Sequence, residues 1–376
     1  MILIKATRDA ILKPLLNVVG IVEKRHTLPI LSNVLIKKEG QKVSFLSTDI
    51  EMQITASASI GVGSDIETTT VSARKLVDIL KSLPNNDEVT ISLAANKLSI
   101  SQNRSKFSLQ TLPAGEFPTV IRSEIFPGKV LIAQKDFRRL LTLVSFSMAQ
   151  QDIRYYLNGM LLVLDRESLK GVATDGHRLA FAQAEVNAHE KVSFAEGTER
   201  IEVIIPRKAI TELQKTVQDD DKPISVEIAS NQARFILDDL EILSKLIEGR
   251  FPDYERVIPQ KHTKTIVFTR EELLGALMRA AILTTDKFKG VRLILSQGQL
   301  KISSTNAEQE EAQEELAVSY EGEIIDIGFN VQYLIEVLTT LHGDTVKLSL
   351  LDQSSSALLT VDTDPDFRYV VMPMRI

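Results

Sequence analysis

Apolar residues fall at helical spacing in three well-separated runs, 7–22, 134–149 and 269–284. The stripe is Ile11, Leu12, Leu15, Leu16 and Val19 in the first run, Phe137, Leu140, Leu141 and Val144 in the second, and Leu273, Leu274 and Leu277 in the third. Apolar positions three and four apart share one face of an α-helix. Each run opens on Thr or Gln before a charged turn (Thr7-Arg8-Asp9, Gln134-Lys135-Asp136, Thr269-Arg270-Glu271), which suits a helix start. Three more helices are predicted to begin at Ser72, Pro206 and Asn330, residue types suited to a helix entry. Behind them Leu76, Ile210 and Leu334 align, then Ile79, Leu213 and Val337, then Leu83, Val217 and Leu341, with Asp78, Glu212 and Glu336 on another face.

Between and after the helices the pattern alternates with period two, as in Val89-Thr90-Ile91-Ser92-Leu93 and Val346-Lys347-Leu348-Ser349-Leu350, which predicts half-buried strands. A turn recurs as Thr48-Asp49, Thr174-Asp175 and Thr305-Asn306, and Asp175-Gly176 is a hairpin signal. Two stretches share a spelling, Leu112-x-x-Gly115-x-Phe117-Pro118 and Leu246-x-x-Gly249-x-Phe251-Pro252. Their spacing of 134 residues equals the spacing of Ser72 and Pro206. Independent features at one offset indicate a repeated unit. The chain therefore reads as three similar α+β domains, 1–126, 127–255 and 256–376, each with two helices packed on one face of a mostly antiparallel sheet.

Charge sharpens the picture. The net charge is −6 over 376 residues, which argues mildly against a polyanionic partner. Yet segments 7–25, 72–83, 134–151 and 206–217 each carry two more Lys and Arg than Asp and Glu. Segment 269–284 is balanced and 330–343 has one excess acid, so the six segments hold +7 and the remainder −13. Lys and Arg suit any solvated helix face. If the helices share one surface, however, that surface attracts a polyanion while the rest repels it. Aromatics are 5% with no Trp, too few for the stacking platforms of single-strand binders, so a nucleic-acid partner would be duplex held by its phosphates without sequence reading.

Little points to catalysis. The absence of cysteine removes disulfides, thiolate metal sites and thiol nucleophiles, and suits a reducing cytoplasm. No run approaches a membrane span, and the first residues lack the layout of a signal peptide. Phosphate-cradling, nucleophile-elbow and zinc-protease spellings are missing, and the five His residues are scattered. Asp175-Gly176-His177-Arg178 reads as a hairpin turn before it reads as an acid–base pair, since its Asp recurs at Asp49. The acidic run Glu308–Glu315 lacks the aspartate–glycine pattern of a calcium loop. The C-terminus, Tyr369-Val-Val-Met-Pro-Met-Arg-Ile376, is apolar to its last residue. It is either a packed last strand or the rim of a peptide groove with adaptable methionines.

RYYLNGML at 154–161, ATDGHRLA at 173–180, FPDY at 251–254, FKGVRL at 288–293, IGFNVQYL at 327–334 and YVVMPMRI at 369–376, with TLPIL at 27–31 and FSLQTLP at 107–113, resemble the bacterial sliding clamps, the beta subunits of the replicative DNA polymerase III. The resemblance runs over essentially the whole chain. It implies a non-catalytic processivity subunit without cofactors. Two chains would form a head-to-tail homodimeric ring around duplex DNA, opened by a clamp loader using ATP. Polymerases and repair proteins would dock through a short peptide. The resemblance places the peptide groove at Arg154, Tyr156, Leu157, Thr174, Gly176, His177, Arg178, Leu179, Pro252, Val257, Asn330, Tyr333, Ser356, Val370, Val371, Met372, Pro373, Met374, Arg375 and Ile376, with His177 and Arg178 as rim groups. It implies DNA-facing roles for Arg25, Gln151, Arg207, Lys208, Arg256 and Arg279. The ring contact would set Lys75, Lys106, Phe107 and Leu109 against Ile282 and Leu283. Glu23-Lys24 before Arg25 departs from the small residues often found there in the family, and a carboxylate beside Arg25 weakens a phosphate contact. The competing reading is a peptide-binding scaffold that does not encircle DNA; a metal-dependent nuclease on an α+β frame is a more distant one.

Overall fold

The structure, a computed structural model, describes residues 1–22, 28–85, 87–186, 192–285 and 289–375. The helices are α1 (Arg8–Val19), α2 (Ala73–Ser82), α3 (Gln134–Ser145), α4 (Arg207–Thr216), the one-turn α5 (Tyr254–Val257), α6 (Arg270–Ala281) and α7 (Val331–Thr340). The six longer ones are those the periodicity predicts, each trimmed at its C-terminal end. Ile11, Leu15, Phe137, Leu140, Leu273, Leu277, Leu334 and Val337 are buried as expected. Leu16 is exposed and Val18 takes the core position, because the buried stripe turns with the helix. Asn330 caps α7 by accepting from the Gln332 N–H at 3.0 Å, whereas Thr7, Ser72 and Thr269 make no cap bond. In each case a strand runs straight into the helix.

In chain order the strands of the first repeat are β1 (Ile2–Thr7), β2 (Asn33–Glu39), β3 (Lys42–Thr48), β4 (Met52–Ser59), β5 (Ile66–Ser72), β6 (Glu88–Ala94), β7 (Lys97–Gln102) and β8 (Ser105–Leu112). The second repeat carries β9 (Gly128–Ala133), β10 (Gly159–Leu164), β11 (Ser168–Thr174), β12 (Arg178–Glu185), β13 (Val192–Phe194), β14 (Ile201–Pro206), β15 (Pro223–Ile228), β16 (Gln232–Leu237) and β17 (Leu240–Lys245). The third carries β18 (Lys264–Thr269), β19 (Gly290–Ser296), β20 (Gln299–Thr305), β21 (Glu311–Ala317), β22 (Ile325–Asn330), β23 (Thr345–Leu350), β24 (Ala357–Val361) and β25 (Asp364–Val371).

The sheets do not stop at the repeat boundaries. The described residues divide into two compact units. One, built on Met1–Lys135, Asn187–Ile201 and Thr211–Leu246, holds a single 13-stranded sheet in the order β1-β6-β7-β8-β5-β2-β3-β4-β17-β16-β15-β9-β13. Its seam is β4 against β17, from Met52 opposite Ser244 to Ala56 opposite Leu240. The other, Asp136–Val186, Glu202–Ile210 and Ile247–Ile376, holds an eight-stranded sheet β14-β10-β11-β12-β25-β24-β23-β18 and a four-stranded sheet β21-β20-β19-β22. Here the seam is β12 against β25. The pairings described are antiparallel, as the hairpin-like connections predict. The repeated Leu-x-x-Gly-x-Phe-Pro spelling marks two core plugs: Phe117 is buried with Ile30 and Leu35, and Phe251 with Leu161, Val172, Leu179 and Val370.

Candidate partner-binding site

The site grows from the hairpin turn between β11 and β12. Thr174 Oγ1 accepts from the Gly176 N–H at 3.0 Å and donates to the Arg178 carbonyl. Asp175 Oδ1 accepts from the N–H groups of His177 (2.9 Å) and Arg178 (3.1 Å). The carboxylate thus serves the turn, as the repetition of Asp49 implies. Gly176 has φ +91, and a Cβ there would stand 2.8 Å from Arg154 Nη1. Glycine meets the left-handed backbone without strain and leaves room for the guanidinium laid across it.

On leaving the turn, β12 pairs with β25, so the apolar C-terminal strand is central in its sheet. Beyond it the Met372 N–H donates to the His177 carbonyl at 2.8 Å and the Met374 N–H to the Gly328 carbonyl at 2.8 Å. The two readings of the C-terminus therefore hold together: one strand is packed, and its extension edges a cavity. That cavity, about 120 Å³, is walled by Arg154 and by Tyr156 and Leu157 of a 3₁₀ turn (Tyr155–Leu157), by Thr174, Gly176, Arg178 and Leu179 from the hairpin, by Pro252 and Val257, and by Val370 and Met372. Leu179 and Val370 belong to a buried cluster with Phe251 and Tyr254, and the Tyr254 ring is stacked on Phe181. A dry apolar cavity of roughly 150 Å³ admits a benzene ring, so this one takes about one large apolar side chain.

Arg178 is not a rim group. It is 8% exposed, and its guanidinium lies 4.4 Å from the Tyr333 ring centroid and 5.6 Å from that of Phe146. Its donors go to Glu336 Oε2 (2.5 Å), the Phe146 carbonyl (2.8 Å) and Asp175 Oδ2 (3.2 Å). A charge buried this deeply is tolerated only when paired and fully hydrogen-bonded. Burial, together with the negative charge of Asp175, pushes the Tyr333 phenol above its ordinary range. Tyr369, buried behind it, donates to the Tyr333 carbonyl at 2.9 Å. At the mouth, Asp152 grips Arg154 with both oxygens (3.0 and 2.8 Å), and this hydrogen bonding lowers the Asp152 carboxyl to about 2. Arg154 and Arg178 also wall a neighbouring polar pocket that includes Asp152, His177, Arg207, Tyr333 and Glu336.

Of the other groove residues, exposed His177 and half-buried Tyr333 face the polar pocket. Val371 is buried in the sheet, Asn330 is committed to capping α7, and the Ser356 carbonyl is bonded to His262 Nε2 at 2.7 Å. Half-buried Pro373 and exposed Met374 and Arg375 continue the C-terminal stretch, and Ile376 lies outside the described residues. Among the DNA-facing expectations, Arg25 also lies outside them. Gln151 is exposed with φ +55. Arg207 donates to the Met148 and Ala149 carbonyls, and burial plus the adjacent Arg178 charge pulls its guanidinium below the ordinary value. Lys208 is half-buried on α4. Arg256 and Arg279 are paired to Asp253 (2.9 Å) and Glu314 (2.6 Å). Lys75 and Lys106 are exposed, Phe107, Leu109 and Leu283 half-buried, and Ile282 is 75% exposed. Asp152, Phe146 and Glu336 are site residues that the sequence did not single out, and Tyr369 entered only as the first residue of the apolar C-terminal stretch. Of the first three, Glu336 left a signal, by aligning with Asp78 and Glu212.

The site is thus a preformed apolar socket large enough for one side chain, with Arg154 and Arg178 held by carboxylates in its wall. Models of the DNA polymerase III beta subunit match its N-terminal domain to residues 2–121, its central domain to 131–253 and its C-terminal domain to 255–375. The beta sliding clamp of Pseudomonas putida is 45% identical over 98% of both chains, and that of Escherichia coli K12 41% identical over the same share. A crystal structure of the Pseudomonas aeruginosa sliding clamp with ligand covers all of both chains at TM-score 0.94 and 43% identity, and the Caulobacter crescentus pol III beta structure does so at 0.91 and 33%. Another P. aeruginosa clamp, 44% identical, was solved bound to griselimycin. The chain belongs to the DNA polymerase III beta subunit family, the beta sliding clamps, a processivity subunit and not a catalytic one.

Proposed function

We propose that two copies of this chain close head to tail into a ring around duplex DNA and tether the replicative polymerase and repair proteins in the cytoplasm. Clients insert an apolar side chain of a short peptide into the cavity beside Gly176, and a clamp loader opens the ring. The three repeats divide near residues 126 and 255. The observation that carries this reading is the preformed cavity at the β12–β25 seam, in a chain that matches the clamp family over all three repeats. Two edges support the ring. β8 pairs with β7 along its length but with β5 only at Thr111 and Leu112, so Ser105–Gln110 is available to a further strand. β21 ends its own sheet and carries Glu311, Glu314 and Glu315. An edge strand carrying Lys106 and an acidic one, in the first and third repeats, suit a heterologous contact that closes on itself.

The cationic helix residues are moderated by carboxylates, as in Arg279–Glu314. Weak phosphate contacts suit a protein that must slide, and enclosure supplies the retention. The test is retention on nicked circular duplex after loading with loader and ATP. The protein is expected to stay on the circle and to leave when the circle is linearised. Equal retention on both substrates rejects encirclement and favours a scaffold.

A further inference from the structure

Two walls of the cavity are distant in sequence: Val257, on the stretch that enters the third repeat, and Val370 with Met372, on β25 and its extension. After Val257 the chain passes Ile258, packed on the same buried cluster as Val370, and reaches His262 just before β18. There His262 Nε2 lies 2.7 Å from the Ser356 carbonyl, a bond across 94 residues of chain. A carbonyl oxygen only accepts, so Nε2 carries the proton and donates. Nδ1 is buried and has no partner among the described residues, so the ring is held through Nε2. His262 does not itself wall the cavity.

Ser356 stands where such a bond reaches the rim. β24 meets β25 with Ala357 opposite Val371 and Leu358 opposite Val370, and the same register carried one residue on sets Ser356 opposite Met372. The Met372 N–H is already committed to the His177 carbonyl, on the hairpin side of the cavity. Ser356 also ends the loop 351–356 between β23 and β24. The start of that loop is fixed by Lys264 Nζ, which donates to the Leu351 carbonyl at 3.0 Å, and by Asp352 Oδ1, which accepts from the N–H groups of Ser354 and Ser355 at 2.8 Å each. The His262 bond fixes its end.

We propose that His262 is a positioning residue for peptide docking: by holding the Ser356 carbonyl it ties the Met372 rim to the stretch that carries Val257 and keeps the cavity open to one size before a client arrives. This inference rests on the peptide-docking reading above. A rim ordered in advance gives up less freedom on binding, so affinity falls when the tie is cut. The loss should fall on the side chain that fills the cavity and spare the rest of the peptide.

The experiment uses the full chain and fluorescence anisotropy of two labelled peptides: the docking segment of the replicative polymerase, and a copy whose cavity-filling side chain is cut back to Ala. Both are titrated with the unmodified protein, His262→Ala and His262→Gln, with thermal melts to confirm folding. His262→Ala is expected to weaken the intact peptide about two- to ten-fold and to leave the truncated copy nearly unchanged. His262→Gln, which keeps an N–H donor, is expected to recover most of the loss. If the unmodified protein does not prefer the intact peptide, the docking reading fails. If it does, but His262→Ala binds as the unmodified protein, weakens both peptides alike or is not rescued in His262→Gln, the positioning role of His262 alone is overturned.

Discussion

Two turns with the same hydrogen bonds show how much one residue can carry. Thr48 and Asp49 bind Ile50, Glu51 and Met52 as Thr174 and Asp175 bind Gly176, His177 and Arg178. The backbone demand is shared: Ile50 has φ +79 where Gly176 has φ +91. A β-branched residue in the left-handed region costs roughly 1–2 kcal/mol, and glycine forfeits about 0.5–1 kcal/mol of that in chain entropy. Ile50→Gly is therefore expected to stabilise the protein by about 0.5–1 kcal/mol, seen as a higher unfolding midpoint in the melt of the full chain. No change, or a fall, shows that packing of the Ile50 side chain outweighs the strain. At the cavity mouth the sign of a pH effect is fixed by Asp152. Its folded pKa is about 2 against an ordinary 3.8, so its hold on Arg154 is complete above that ordinary value and is lost as pH falls through about 2. Asp152→Asn should weaken peptide binding equally at pH 3.5 and pH 7, measured by fluorescence anisotropy of a labelled client peptide. A defect that largely disappears at pH 3.5 contradicts the depressed carboxyl.

Among the elements, strands decide more than helices. The six long helices were legible from period and entry residues because each buries one stripe on its own sheet, a local requirement. The seams β4–β17 and β12–β25 were not, because hydrogen bonding between edges leaves no periodic mark on either strand. Arg178 shows the consequence: as a turn residue it reads as solvated, yet β25 and α7, distant in sequence, bury it and supply Tyr333 and Glu336. The edge strands carry a prediction of their own. If β8 pairs with an acidic β21 in a second copy, Lys106→Glu sets like charges across the ladder and costs about 1 kcal/mol. Analytical ultracentrifugation should show a dimer weakened about five-fold, partly restored by high salt. A salt-insensitive, unaltered dimer would place Lys106 away from the contact.

Across the whole molecule, three repeats were readable from spacing alone, but the structure consolidates them into two units, each with a continuous seam. The proposed docking and enclosure thereby draw on different parts. The cavity lies wholly within the second unit. The proposed encirclement would need a second copy, meeting the first at β8, β21 and Ile282.

The amino-acid sequence by itself determined the repeat, the helices and their basic bias, the glycine at Gly176 and the want of catalytic chemistry, since each follows from residue type and near-neighbour spacing. Only the tertiary structure decided that Arg178 is buried, that Asp152 and Glu336 hold the arginines in place, and that the last strand becomes a seam. Those outcomes depend on groups brought together from distant parts of the chain, where low dielectric and edge pairing, not local pattern, set the energy.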